Sequence, residues 1–343
     1  MTPRPALRAV PDAAADPPAD APANAPHRVV VLAYPGVQAL GVAGAQEVLS
    51  AANTWAGQLR LPAPYAVTVA GPEPMLTCST GLVLAAAPLP DDVTDATVVV
   101  PGGEGIHGPA AAGVVEWLAG HPTRRLATQC AGAFLAARAG LLDGRTVATH
   151  WAYAARLRRQ HPRVRVLPDA VHHRDGPVWS SGGATTGMDL MLALVAQDCG
   201  ALAAQTVARW LVTYVNRPGN QRQFAATRPR PRARDERIAA VQDHVEANPS
   251  ADLRVETLAQ RARMSPRHFQ REFHAQTGVP VGQYVASVRL DHAKHRLTGS
   301  DEPVAVVARQ CGLGSAESLR RAFVGALDTT PSDYRRRFRV GAG

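Results

Sequence analysis

Val255-Glu-Thr-Leu-Ala-Gln-Arg-Ala-Arg-Met-Ser-Pro-Arg-His-Phe-Gln-Arg-Glu-Phe273 decides how this chain folds. Val255, Leu258, Ala259 and Ala262 recur at helical spacing and mark one buried face. Arg263-Met264 leaves room only for a tight turn. Ser265 can then accept from the free N–H groups of a second helix, and Pro266 suits its first position, where no N–H is needed. Phe269 and Phe273, four residues apart, face inward together, and the small Ala259 lets the two helices cross closely. Two short helices joined in this way form a helix-turn-helix.

The pattern begins again 49 residues further on. Val304, Val307, Ala308 and Cys311 line a first helix, and Gly312 stands where a left-handed turn residue is wanted. Ser315 caps a second helix, in which Leu319 and Phe323 repeat the spacing of Phe269 and Phe273. Between the units, Val281–Leu297 reads as one helix of about 25 Å at 1.5 Å per residue. Such a spacer sets two recognition helices about one DNA turn, roughly 34 Å, apart.

Charge points the same way. The 343 residues carry a net charge of +9, and Arg228 to Arg339 holds 20 Lys/Arg against 13 Asp/Glu. A basic third on a near-neutral body suits a polyanion. Lys294 is the sole lysine, however, so part of this excess reflects a general preference for arginine.

These residues resemble the AraC/XylS family of transcriptional regulators over about 100 residues, from Ile238 to Phe338. The specific stretches are Leu258-Ala259, Met264 to Phe273, Cys311-Gly312-Leu313-Gly314-Ser315, and Thr330-Pro-Ser-Asp-Tyr-Arg-Arg-Arg-Phe338. The resemblance implies that outward residues early in each second helix read bases: Arg267, Gln270 and Arg271 in the first unit, and Ala316, Glu317 and Arg320 in the second, with Arg321 nearer the backbone. Arg can pair with guanine, Gln with adenine, and Glu can accept from cytosine. Arg335, Arg336 and Arg337 are expected to hold phosphates, which position the protein without specifying sequence.

Upstream, the texture differs. Strand patterns at Val29–Ala33, Tyr65–Ala70, Thr97–Val100, Leu126–Thr128, Thr146–Thr149, Val164–Leu167 and Val178–Ser180 alternate with helical patterns at Gly44–Asn53, Val114–Ala119, Ala131–Ala139 and Thr186–Asp198. This alternation predicts a parallel sheet covered by helices on both faces. Leu126-Ala-Thr-Gln-Cys130-Ala-Gly132 runs a strand sharply into a helix with cysteine at the corner. That is the layout of a nucleophile elbow, in which a helix N-terminus is expected to depress the thiol pKa. His150 follows a strand twenty residues on, and Pro101-Gly102-Gly103 can aim backbone N–H groups at the same place.

Together with Ser181-Gly-Gly-Ala-Thr-Thr-Gly-Met-Asp189, these segments resemble the PfpI-type class I glutamine amidotransferase-like fold, and the whole chain from Val29 resembles the GlxA-like AraC-family regulators. The resemblance implies a flavodoxin-like α/β sandwich followed by an all-α tandem helix-turn-helix domain, with a ligand pocket at Gly102, Gly103, Cys130, Ala131 and His150. It departs from the enzymatic relatives in two places: Gly41 stands where they hold an acid, and Ala131 where the proteolytic ones place histidine. No catalytic residue is therefore assigned.

The expected organisation is a disordered tail (1–27), a sensor domain (28–215), a Pro/Arg linker (216–235) and a DNA-binding domain (236–340). The first residues, Met1 to Pro26, lack the apolar core of a signal peptide. The four cysteines form no CxxC pair, so no metal site and no cofactor are expected, and a reducing cytoplasm is the expected setting. No apolar run reaches the ~18 residues of a membrane span. The expected partners are promoter DNA, RNA polymerase, a small-molecule effector and a second copy of the chain, with activation as the expected outcome. Two alternatives stay open: a cysteine-dependent enzyme of the PfpI or isocyanide-hydratase type with a DNA-binding tail, and a sensor that responds to oxidation of Cys130.

Overall fold

A computed structural model describes residues 25–215, 220–224 and 230–339. Most of the expected tail, and residues 216–219 and 225–229 of the expected linker, lie outside the described residues. The chain divides into two compact units between residues 217 and 218.

The first unit runs β1 His27–Leu32, α1 Ala39–Gln58, β2 Tyr65–Gly71, β3 Met75–Thr77, β4 Val83–Ala85, β5 Ala87–Pro88, β6 Thr97–Val100, α2 Ala110–Gly120, β7 Arg125–Gln129, α3 Ala133–Arg138, β8 Thr146–Ala148, α4 Ala154–Gln160, β9 Arg165–Leu167, β10 His172–Asp175, β11 Val178–Ser181, α5 Ala184–Cys199 and α6 Ala201–Trp210. Its main sheet has the order β10-β11-β7-β6-β1-β2-β5. Six strands are parallel, as the alternating pattern predicts. The edge strand β10 corrects that expectation: it is antiparallel to β11, because Gly176 turns with positive φ and joins the two as a hairpin. A second correction concerns Thr146–Ala148 and Arg165–Leu167, which pair only with each other, outside the main sheet.

The central strands are apolar because helices cover both their faces; Val98, Val99, Val100, Leu126 and Ala127 are at most 1% exposed. At the amino end of β7, Arg125 makes a two-pronged ion pair with Asp198 of α5, both contacts at 2.7 Å. Burial opposes the Asp198 charge, but the hydrogen bonds and charge of Arg125 outweigh it and hold the carboxyl below its usual range.

The second unit has helices and no strand among its described residues: α7 Glu236–Ala247, α8 Val255–Arg261, α9 Pro266–Thr277, α10 Val281–Gly299, α11 Val304–Gln310, α12 Ala316–Leu327 and α13 Pro331–Phe338. It has two cores. Ile238, Val241, Leu258, Ala259, Phe269 and Phe273 pack with Val281, Tyr284, Val285 and Val288 from the first half of α10. Val307, Ala308, Cys311, Leu319, Phe323 and Tyr334 pack with Ala293 and Leu297 from its second half. One helix thus belongs to both cores and fixes the separation of the two motifs.

Candidate nucleic-acid interface and sensor site

Each recognition helix starts on the predicted cap. Ser265 Oγ accepts from the His268 N–H at 3.4 Å, and Pro266 follows at the first position of α9. Ser315 Oγ accepts from the Ser318 N–H at 3.1 Å to start α12. The turns differ in their solution to the same backbone demand. Arg263 adopts φ +54° in the first, whereas Gly312 supplies φ +73° in the second. Glycine is required at 312 for a second reason: a β-carbon there would lie 2.2 Å from Pro249 O.

The apolar stripes turn inward, so the intervening residues face out. Arg267, Gln270 and Arg271 are exposed on α9, and Glu317, Arg320 and Arg321 on α12; Ala316 is half-buried. Arg271 donates to His268 Nδ1 at 2.9 Å. Arg320 donates Nε–H and Nη2–H to the two oxygens of Glu317, both at 2.8 Å. Arg321 reaches Ser318 Oγ at 3.4 Å.

The arginines of α13 divide by role. Arg335 is half-buried and donates to Leu297 O at 3.2 Å and Glu302 O at 2.6 Å, bracing the end of α10 against the loop that follows. Arg337 donates to Gln223 and Thr329 at 3.1 Å each. Arg336 is exposed on the helix surface, 2.5 Å from Asp333.

In the first unit the strand-to-helix corner is sharp. Cys130 takes φ +54°, a left-handed conformation that costs a non-glycine residue about 1–2 kcal/mol. The corner is pinned from two sides. Thr149 Oγ–H donates to Cys130 O at 2.7 Å, which draws the segment carrying His150 against the elbow. Gly102 lies on the other side, where a β-carbon would stand 2.8 Å from Ala131 N and 2.9 Å from Cys130 Cβ. Tyr34 secures that loop by donating to Pro101 O at 2.8 Å. Gly103 bridges to Val37 on the loop after β1. The expected pocket residues Gly102, Cys130 and Ala131 thus meet. His150 enters through its neighbour Thr149 and sits beside the start of α5, where a β-carbon at Gly183 would lie 3.8 Å from its Cδ2.

The electrostatics correct one expectation. Burial pushes the Cys130 thiol up, and the hydrogen bond from the Ala131 N–H only partly offsets this, so the helix start does not depress it. Burial also lowers His150, favouring the neutral ring.

The sequence reading missed the polar floor. Gln129 is 1% exposed and Ser181 fully buried, and neither amide atom of Gln129 nor the Ser181 hydroxyl has a hydrogen-bond partner among the described residues. The two are register partners on β7 and β11. A β-carbon at Gly41 would lie 3.0 Å from Pro101 Cβ and 3.2 Å from Gln129 Oε1, so the carboxamide lies beside the glycine that stands in place of the expected acid. The available signal was a glutamine at the carboxyl end of β7, directly before the cysteine corner.

A parallel-sheet unit with a cysteine elbow, followed by paired helix-turn-helix motifs around one spacer helix, defines the class of two-part helix-turn-helix regulators. Residues 27–197 match the DJ-1/PfpI family and residues 258–337 match a helix-turn-helix domain. A helix-turn-helix-type transcriptional regulator of Mycobacterium tuberculosis is 32% identical over 73% of this chain and 97% of its own length. The transcriptional regulator GlxA of Rhizobium meliloti is 30% identical over 60% of this chain and 63% of its own. A crystal structure of an AraC family transcriptional regulator from Pseudomonas putida covers 54% of this chain and all of its own, at 24% identity and a TM-score of 0.46. The chain belongs to the AraC-type helix-turn-helix transcriptional regulators that carry a DJ-1/PfpI domain.

Proposed function

We propose that this protein binds promoter DNA sequence-specifically through α9 and α12, under the control of a small molecule held at the Cys130 elbow. One observation carries the reading: two capped recognition helices, each on its own core, share α10, and they expose Arg267, Gln270 and Arg271 on one and Glu317, Arg320 and Arg321 on the other. Residues 28–215 form the sensor and 236–340 the DNA-binding domain. Arg336 contacts phosphate, whereas Arg335 acts mainly by keeping α13 in place. The effector binds among Gly102, Gly103, Cys130, Ala131 and His150, over the unsatisfied floor of Gln129 and Ser181. A second copy and RNA polymerase complete the assembly that activates transcription. No helix among the described residues is long and apolar enough to cross a membrane, which is compatible with a cytoplasmic regulator.

The sensor performs no turnover in this proposal. A raised thiol gives little thiolate at neutral pH, and the side chain beside Gly41 is the amide of Gln129, which is no base for its proton.

Selection of genomic fragments by the full-length protein, repeated over a range of salt concentrations, tests the reading. The expected outcome is enrichment of a few promoter sites, with affinity falling steeply as salt rises. Enrichment no better than random DNA, with and without cell extract as a source of effector, would sink it.

A further inference from the structure

The recognition helices differ in one respect. The first turn of α9 carries no acidic residue, Arg267 and Gln270 make no side-chain hydrogen bond with a described residue, and Arg271 meets the next residue, Glu272, only loosely, through one carboxylate oxygen at 3.4 and 3.5 Å. The first turn of α12 carries Glu317, whose carboxylate takes both the Nε–H and an Nη2–H of Arg320. We infer that Glu317 is a positioning residue for specificity: it holds the Arg320 guanidinium in the orientation that reads one guanine, and reads no base itself. The inference rests on the proposed binding of promoter DNA through α12, taken to lie in the major groove.

The donor inventory supports it. A guanidinium has five N–H donors in a fixed plane. Glu317 engages one edge of that plane and leaves the edge formed by Nη1 and the second Nη2 hydrogen. Two parallel donors on that edge match the O6 and N7 acceptors of guanine. Each carboxylate oxygen of Glu317 is already turned toward Arg320, so the group is poorly placed to take a cytosine amine.

Electrostatics supply a second argument. A carboxylate on a surface that meets phosphates is repelled by them, and bare charge favours its absence. The side chains of Arg320 and Glu317 are 52% and 58% exposed, and such a pair contributes little to the free protein. On DNA, water leaves the pair, its attraction grows, and the arginine arrives with its rotamers already restricted. The gain appears only where a guanine completes the fork, so it reads out as selectivity rather than as affinity for any duplex.

The test uses full-length protein and the site selected above. Affinities of wild type, Glu317→Gln, Arg320→Ala and the double variant are measured on that site, on single base-pair variants of it, and on random duplex. We expect Arg320→Ala to lose about 5- to 150-fold of its preference at one guanine, the span of a bidentate base contact. Glu317→Gln should lose several-fold at the same guanine while binding random duplex as tightly as wild type or more so, and the double variant should lose no more than Arg320→Ala. Equal tightening on every duplex with the preference intact would show Glu317 to be only a repelling charge and overturn the inference alone. Relaxation at a different base pair from Arg320→Ala would overturn it too, since Glu317 would then read a base directly. Failure to select any site overturns the regulator reading and this inference with it.

Discussion

Cys130 shows how a residue can keep the geometry of an activity without its chemistry. The corner is strained at φ +54°, Thr149 and Gly102 hold it from either side, and the thiol still sits above its ordinary value because burial outweighs the single Ala131 N–H. The sign matters for any chemical test. A thiol raised above its ordinary value carries less thiolate at pH 7 than a free cysteine, and its reactivity keeps climbing at pH values where a depressed thiol would already have levelled off. Alkylation of Cys130 by iodoacetamide in the native protein is therefore expected to be slower at pH 7 than that of a small free thiol, with a rate still rising above pH 9. A rate plateau below pH 8 would mean a depressed thiol and revive the enzyme and oxidation-sensor readings together. The position and sharpness of this corner were legible in sequence, since a strand running into Cys-Ala-Gly admits few geometries. The thiol's environment was not, because it depends on what packs around the elbow, and Gln129 and Ser181 become neighbours only when β7 pairs with β11.

At the scale of elements, local signals located the helices well where a cap and a stripe agreed. Ser265-Pro266 and Ser315 start α9 and α12 where the sequence places them. Strands buried on both faces were legible as apolar runs, but the β3–β4 hairpin and β10 were not: Met75–Thr77 and Val83–Ala85 are three residues each, too short to show an alternation, and His172–Asp175 carries no apolar residue. Helices α4 and α6 also lacked an N-cap side chain to announce them. Gly312 and Gly314 offer a clean comparison at this scale. Both have positive φ, at +73° and +76°, but a β-carbon at Gly312 would strike Pro249 O at 2.2 Å, while one at Gly314 would meet nothing within 4 Å. Gly314→Ala is expected to cost only the left-handed penalty, about 1–2 kcal/mol. Gly312→Ala should cost clearly more, since the turn between α11 and α12 must also move away from the loop after α7. Urea denaturation of the two variants decides the matter; equal losses would mean that the backbone conformation alone, and not the close approach, dictates glycine at 312.

Across the DNA-binding unit, α10 is the part on which the two-motif design depends. Its first half contributes Val281, Tyr284, Val285 and Val288 to one core, and its second half contributes Ala293 and Leu297 to the other. A straight α-helix transmits rotation as rigidly as distance: one added residue advances everything beyond it by about 1.5 Å and turns it by about 100°. An alanine inserted after His292 leaves each core its own share of side chains but swings α12 away from the groove that α9 defines. Specific affinity should then fall toward that of one motif, and a footprint that covers two major-groove segments in wild type should shrink to the segment under α9. Thermal unfolding reports separately whether the unit still folds, because loss of the Gly312–Pro249 approach removes some stability on its own. An insertion mutant that folds and still protects both segments would show that the motifs find their grooves independently. The spacer would then be a tether, and the fixed separation seen here would carry no part of the recognition.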